Sequence, residues 1–183
     1  EVIIPRGGFV FRAGDKITIT ASRRDLAKVI KQLELDVQKI RNVMIIGGST
    51  IAEYLADDLL NVGIGVKIIE IDEERANELA ERLPKALVIN DDGSSHDVLR
   101  AERIDETDAV VTLTDVDEMN IVISMFSSKA GVPKTITKLD NNEYNFLFAD
   151  KGIGSTVCPK ELITTDILRY VRAMSSSGGS AVT

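Results

Sequence analysis

Val43-Met44-Ile45-Ile46-Gly47-Gly48-Ser49-Thr50-Ile51-Ala52 is a short apolar run that ends in a glycine-rich turn and passes directly into helix-forming sequence. A second apolar run, Val66-Lys67-Ile68-Ile69-Glu70-Ile71-Asp72, follows and ends on acids. Strand, tight turn, helix, strand, acid is the order that a dinucleotide requires. The turn lets the backbone approach a pyrophosphate, and the helix N-terminus offers unpaired N–H groups with partial positive charge. The acid closing the second strand, about twenty residues on, accepts hydrogen bonds from both ribose hydroxyls.

The alternation continues outward from this unit. The pattern predicts strands at Val43–Ile46, Val66–Ile71, Ala86–Ile89, Ala109–Leu113, Thr135–Lys138 and Thr156–Cys158. Helices are expected over 50–61, 73–82, 95–102, 117–130, 141–150 and 160–173. Gly63, Pro84 and Gly131 stand where helices stop. Short, almost wholly apolar strands suit a parallel sheet covered on both faces, and right-handed crossovers then give a Rossmann-like, doubly wound α/β fold.

The first 34 residues follow a different pattern. Val2-Ile3-Ile4-Pro5 reads as a strand end, Arg6-Gly7-Gly8 as a turn, Phe9-Val10-Phe11 as a short strand, Ala13-Gly14-Asp15-Lys16 as a second turn, and Ile17–Thr20 as an alternating strand. Ser22 with Asp25 reads as a capping box opening a helix striped by Leu26, Val29, Ile30 and Leu33. The chain opens at Glu1 in mid-strand, so residues 1–34 are expected to be the tail of a preceding unit. Residues 35–42 read as a polar linker, 43–174 as the nucleotide-type domain, and 175–183, opening with Ser175–Ser180, as a linker toward a further element.

Composition narrows the function classes. Of 183 residues, 44% are hydrophobic and 28% charged, which supports a real core. The net charge of −7 argues against non-specific nucleic-acid binding, which needs a basic footprint. The one cysteine, Cys158, excludes an internal disulfide and reads as a structural thiol. No apolar run approaches the ~20 residues that span a bilayer.

Against G-x-G-x-x-G, Gly47 matches the first glycine and Ala52 keeps the close helix–strand packing of the third. Ser49 departs at the second, placing a Cβ where backbone approaches the pyrophosphate, although its hydroxyl can donate to a phosphate oxygen. Glu70 stands where an acid takes ribose hydroxyls and repels a 2′-phosphate, which favours NAD(H) or an adenine nucleotide over NADP. Asp72 reads as a ligand or as a helix cap, and Arg75 as a neighbour of the adenosine or as a surface charge. In Asn90-Asp91-Asp92-Gly93-Ser94-Ser95, Asp92 can accept an exocyclic amine and the Gly93-Ser94 backbone can meet ring nitrogens; Ser94 or Ser95 also suits a helix cap. Thr114, in the loop after the fourth strand, reads as a cap for the next helix or as a loop reporting occupancy. No catalytic set and no metal-ligand spacing is visible: the single His96 has no partner placed by sequence. Met119, Met125 and Phe126 fall at core spacing, and Phe146, Leu147 and Phe148 suit either core packing or self-association.

Taken together, residues 43–172 resemble the nucleotide-binding subdomain of Trk-type potassium uptake regulators, the regulator-of-K⁺-conductance (RCK) domains of bacteria and archaea. The resemblance rests on Val43-Met-Ile-Ile-Gly-Gly48, Lys67-Ile-Ile-Glu-Ile-Asp72, Asp92-Gly93-Ser94, Thr114-Asp-Val-Asp-Glu-Met-Asn120, Lys138 and Val157-Cys-Pro-Lys160. Residues 1–20 resemble the end of the C-terminal subdomain of a preceding RCK unit, which implies a tandem arrangement. The resemblance implies a regulator and not an enzyme, cytoplasmic and peripheral at the inner face of the membrane. It further implies a homo-oligomer (dimer or tetrameric ring) against a membrane K⁺-translocating subunit, with NAD(H), AMP, ADP or ATP as ligand. Gly47, Gly48, Ser49, Thr50 and Ile51 would then hold phosphates, Glu70 the ribose, and Asp92, Gly93 and Ser94 the adenine. Three departures, Ser49, Thr50 in place of an arginine for a terminal phosphate, and Asp91 in place of glycine, disfavour ATP and leave AMP, ADP, NAD(H) or an empty site. The Rossmann domain of an oxidoreductase with its substrate domain elsewhere is the alternative.

Overall fold

The structure, a computed structural model, describes residues 7–12, 19, 21–33, 39–145 and 154–177. The chain divides into two compact units, Glu1–Gln38 and Lys39–Thr183.

In the first unit, helix α1 (Arg23–Gln32) begins where the sequence placed it. The Ser22 hydroxyl accepts from the Asp25 amide at 3.2 Å and donates to the Asp25 carboxylate at 2.7 Å. Leu26, Val29 and Ile30 are half-buried, while Leu33 is exposed. Gly7 and Gly8 form the expected turn, but Phe9-Val10-Phe11 is not a strand: among the described residues it has no ladder partner, and its two phenyl rings instead meet edge to face at 5.3 Å. The expected elements at residues 2–5 and 13–16, and all of 17–20 but Ile19, lie outside the described residues.

The second unit carries six parallel strands, β1 (Asn42–Ile46), β2 (Gly65–Glu70), β3 (Leu87–Asn90), β4 (Ala109–Thr112), β5 (Lys134–Lys138) and β6 (Ser155–Val157), in the order β3-β2-β1-β4-β5-β6. The helices are α2 (Thr50–Asn61), α3 (Glu73–Arg82), α4 (His96–Ala101), α5 (Asp117–Lys129) and α6 (Pro159–Ser177). Strand alternation sorts the core into two layers. Val43, Ile45, Val66, Ile68 and Val111 face Ala52, Ala56 and Leu79 of α2 and α3. Met44, Ile46, Ile69 and Val110 face Leu99 and Ile123 of α4 and α5. Both faces are therefore covered, as the apolar strands required. The chain builds outward from β1 to β3, then returns to β4 on the other side of β1, so the carboxyl ends of β1 and β4 adjoin at the switch point.

Three expectations shift. Thr114 is not the cap of α5: Val116 holds that position without a side-chain cap, and the Thr114 hydroxyl donates to Asn120 Oδ1 at 2.8 Å. A short 3-10 turn occupies Asn142–Asn145 where a helix over 141–150 was expected, and residues 146–150, with Phe146, Leu147 and Phe148, lie outside the described ones. α6 runs through Ser175–Ser177, which read as linker. Among the described residues no helix is long and apolar enough to cross a membrane.

One buried amide fixes the switch-point side. Asn120 is fully buried; its Oδ1 accepts from the Thr114 amide at 3.0 Å, and its Nδ2 donates to the carbonyls of Thr114 at 3.0 Å and Lys138 at 3.2 Å. It thus ties the loop after β4 to the end of β5. Asn120→Ala strands those backbone groups and is expected to destabilise the fold by about 2–4 kcal/mol in urea denaturation. A change below ~0.5 kcal/mol would show that the loops hold without it.

Candidate functional site

A cavity of about 580 Å³ opens over the adjoining ends of β1 and β4, within the ~300–1,000 Å³ common for small-molecule sites. Of the residues singled out from sequence, Gly47, Gly48, Ser49, Thr50, Glu70, Asp72, Arg75, Asp92, Gly93, Ser94 and Thr114 line it together. Ile51 does not; its side chain is 44% exposed, which leaves only its amide to contribute.

The floor is set by glycine. Gly47 has φ +96°, and a Cβ there would lie 2.9 Å from the backbone of Leu113 and Thr114. At Gly48 a Cβ would lie 2.6 Å from Leu79 Cδ1 and 2.7 Å from Glu70 Oε2. At Gly47 the backbone approach excludes any side chain, whereas at Gly48 a Cβ would push Leu79 and Glu70 aside. Ser49 opens α2, its hydroxyl accepting from the Ala52 amide at 3.3 Å, so the serine caps the helix. Among the described residues the Thr50 and Ile51 amides meet no acceptor. They are the donors that a helix N-terminus leaves for an anion.

Glu70 faces this turn. One carboxylate oxygen accepts from the Gly48 amide, and the other accepts from the Asp72 amide at 2.8 Å. Asp72 caps α3 by accepting from the Arg75 amide at 2.8 Å. Arg75 is not a loose surface charge: its Nε donates to the Gly48 carbonyl at 2.7 Å, and its terminal nitrogens pair with Glu53 at 2.8 Å and Glu78 at 2.9 Å. Asn90 Nδ2 donates to the Glu70 and Ile71 carbonyls, both at 3.0 Å, and locks the strand end beneath the acid. Asp92 accepts from the Ser94 amide at 2.8 Å.

On the opposite wall the sequence pointed to Thr114 and its loop but not to the individual side chains around it. Leu113, Asp115, Val116, Met119 and Ile123 line it. Met119 and Met125, read as core, are 36% and 46% exposed, because α5 turns that flank outward; Phe126 does pack inward, with His96 stacked on its ring at 4.1 Å. Position after the fourth strand, at the switch point, was the available signal. Asp117 is buried and accepts from the amides of Asp140 (2.9 Å) and Asn141 (2.8 Å), which binds this wall to the loop after β5. Cys158 is half-buried, its Sγ 4.0 Å from the Asp140 carbonyl.

Known proteins share this arrangement. Residues 43–159, more than half of the chain, match the TrkA-N domain. The chain belongs to the TrkA-N family. It is 35% identical over 170 residues to a Trk system potassium uptake protein TrkA of Halomonas elongata, covering 93% of this chain but 37% of that protein. The chain thus spans little more than a third of such relatives. Its fold is similar to the GsuK RCK domain (TM-score 0.66, 16% identity, 85% of this chain and 33% of that one). It is also similar to a GsuK channel bound to NAD (TM-score 0.55, 17% identity, 73% and 25%).

In this TrkA-N domain Glu70, Asp72, Asp92 and Asp115 are the acids of the cavity lining, with Arg75 its one basic residue among the described ones. Ser94, through its hydroxyl and amide, holds the Asp92 carboxyl below the usual range. Hydrogen bonds from Arg75 and then Arg82 likewise depress Glu53. A carboxyl depressed in the fold stabilises above its unfolded pKa, about 4.3 for Glu, and the contribution fades as pH falls through the folded value. Glu53→Gln is therefore expected to be less stable than the parent at pH 7, with the gap closing below about pH 4 in urea titrations. A gap independent of pH would refute the ion-pair origin.

Proposed function

We propose that this chain is a nucleotide-sensing unit of a Trk-type potassium uptake regulator, acting from the cytoplasmic face on a membrane K⁺-translocating subunit. The ligand is NAD(H) or an adenine nucleotide, bound over Gly47. The observation that carries this reading is the placement of the Glu70 carboxylate against the glycine turn, beside the free amides of α2. The names of the TrkA relatives support the transport role, and the NAD-bound GsuK channel supports the ligand class.

The residues present fit such a ligand. Gly47 and Gly48 leave a cradle that a Cβ would fill. The Thr50 and Ile51 amides face a diphosphate without neutralising charge of their own. Each Glu70 oxygen retains a lone pair beyond its backbone bond and can accept a ribose hydroxyl. Asp92, Gly93 and Ser94 line the same cavity, which supports giving them the adenine. The bound nucleotide supplies binding free energy, not bond-making chemistry. The regulator works by population shift: a nucleotide that binds one arrangement of the assembly better biases the partner toward it, typically by 1–3 kcal/mol. Exposed apolar side chains on α5 and α6, among them Met119, Val122, Leu162, Ile163 and Ile167, suit a homo-oligomer and a partner surface.

Calorimetric titration of the purified protein with NADH, NAD⁺, AMP, ADP and ATP tests the reading. Binding of NAD(H), ADP or AMP more tightly than ATP is expected. Glu70→Ala is expected to weaken it at least tenfold, about 1.4 kcal/mol. Absence of binding by all five ligands, or an unaltered affinity in the variant, would sink the assignment.

A further inference from the structure

Arg75 is an unusual feature of the cavity because it is cationic, placed beside Glu70, and engaged through all three of its nitrogens by neighbouring protein groups. Glu70 and Arg75 grip the same residue: Gly48 donates its amide to Glu70 and offers its carbonyl to Arg75 Nε. Arg75 lies in the first turn of α3, just beyond the end of β2, and an arginine near the acid that closes the second strand is what accommodates a 2′-phosphate in dinucleotide sites. Here the guanidinium is turned onto two carboxylates. Glu53, on α2 and outside the cavity lining, takes Nη2 at 2.8 Å and also holds Arg82 at 3.0 Å. Glu78 takes Nη1 at 2.9 Å. The Glu53–Arg75 pair is the less accessible of the two contacts, with side chains 21% and 24% exposed, whereas Glu78 is 50% exposed. Each is a charge-assisted contact of one nitrogen with one oxygen, and together with the Nε bond to Gly48 they fix the orientation of the guanidinium plane.

We infer that Glu53 is a specificity-determining residue that acts through Arg75: by sequestering the guanidinium it makes the site prefer a ribose with a free 2′-hydroxyl over one bearing a 2′-phosphate. This rests on the reading of the cavity as a dinucleotide site. Glu70 disfavours the phosphate directly by repulsion, and Glu53 does so indirectly by occupying the one cation that would offset it. Releasing Arg75 then gives the phosphate a charge-assisted partner without removing Glu70.

The test compares NADH and NADPH, by fluorescence titration of the purified protein at pH 7.5. The parent favours NADH. Glu53→Gln moves the ratio of the two dissociation constants toward NADPH by about tenfold, Glu53→Asp keeps a carboxylate and restores the parental preference, and Glu53→Gln/Arg75→Gln abolishes the shift. Glu78→Gln, on the exposed side, gives a smaller shift in the same direction and serves should Glu53→Gln fold poorly. A ratio unmoved in Glu53→Gln and Glu78→Gln, or a shift that persists without Arg75, overturns this inference alone. A parent that binds neither dinucleotide overturns it together with the reading on which it rests.

Discussion

The missing side chain at Gly47 is the constraint from which the rest of the site follows. β1 lies between β2 and β4, and its last residues are pinned to both. The Gly47 amide donates to the Ile69 carbonyl at 2.9 Å, and the Leu113 amide donates to the Ile46 carbonyl at 2.8 Å. The chain must leave the sheet at once, with φ +96° and with backbone atoms of β4's continuation less than 3 Å from where a Cβ would stand. Only glycine meets both demands. Because the turn is this short, only three residues separate α2 from the strand, and its unpaired N-terminal amides sit at the mouth of the crevice that the switch in strand order opens. Sheet topology makes the crevice, and the glycine makes it reachable by backbone.

Two walls with different chemistry enclose it. The wall built by β2, β3 and α3 is held by charge: Glu70 takes amides from the turn and from its own strand end, and Arg75 ties the turn's carbonyl to Glu53 and Glu78. The wall built by β4, β5 and α5 adds neutral hydrogen bonds at deeper burial to the charged contacts of Asp117 and Lys138. Ser124 Oγ lies 2.6 Å from Thr137 Oγ1 and 3.3 Å from Thr112 Oγ1, and Asn120 closes the seam at Thr114 and Lys138. Screening by salt reaches the partly exposed ion pairs, such as Arg75–Glu78 on the first wall, and leaves the buried Ser124, Thr137 and Thr112 contacts alone.

Much of this was legible in the residues. The turn at Gly47, the acid at Glu70 and the cap at Asp72 are local features with local signatures, and helices 50–61 and 73–82 begin and end where the pattern put them. What was not legible depends on tertiary partners. Arg75 reads from sequence as a neighbour of the adenosine or a surface charge, because nothing local reveals that Glu53, on another helix, comes within 2.8 Å. Met119 has the spacing of a core residue, but which flank of α5 faces the sheet is decided by Asn120, Ser124 and Ser127, polar residues that periodicity assigns to solvent. Their burial is possible because β4 and β5 present Thr112 and Thr137 opposite them. Phe9-Val10-Phe11 has strand-like residues but no ladder partner among the described ones, and β-propensity without a partner makes no strand.

A cavity that straddles a switch point is suited to sensing for a mechanical reason. A ligand can bias two arrangements only through contacts that differ between them. One that touched the Glu70 wall alone would be carried along by any rigid movement and would discriminate nothing. One that also meets Thr114 and Met119 spans two separately braced halves of the sheet, so its contacts register their relative position. From Thr114 the connections are continuous. Asn120 links it to Lys138, whose ammonium reaches the Thr114 carbonyl at 3.3 Å and the Asp140 carboxylate at 3.5 Å. Asp117 grips the amides of Asp140 and Asn141 from the first turn of α5. A shift of α5 at the cavity therefore cannot leave the loop after β5 in place without breaking buried hydrogen bonds, each costing about 1–3 kcal/mol when a partner is stranded. That is comparable to the coupling free energy by which one site ordinarily acts on another, so the proposed ligand would meet a wall whose internal bonds are of the same size as the coupling asked of them.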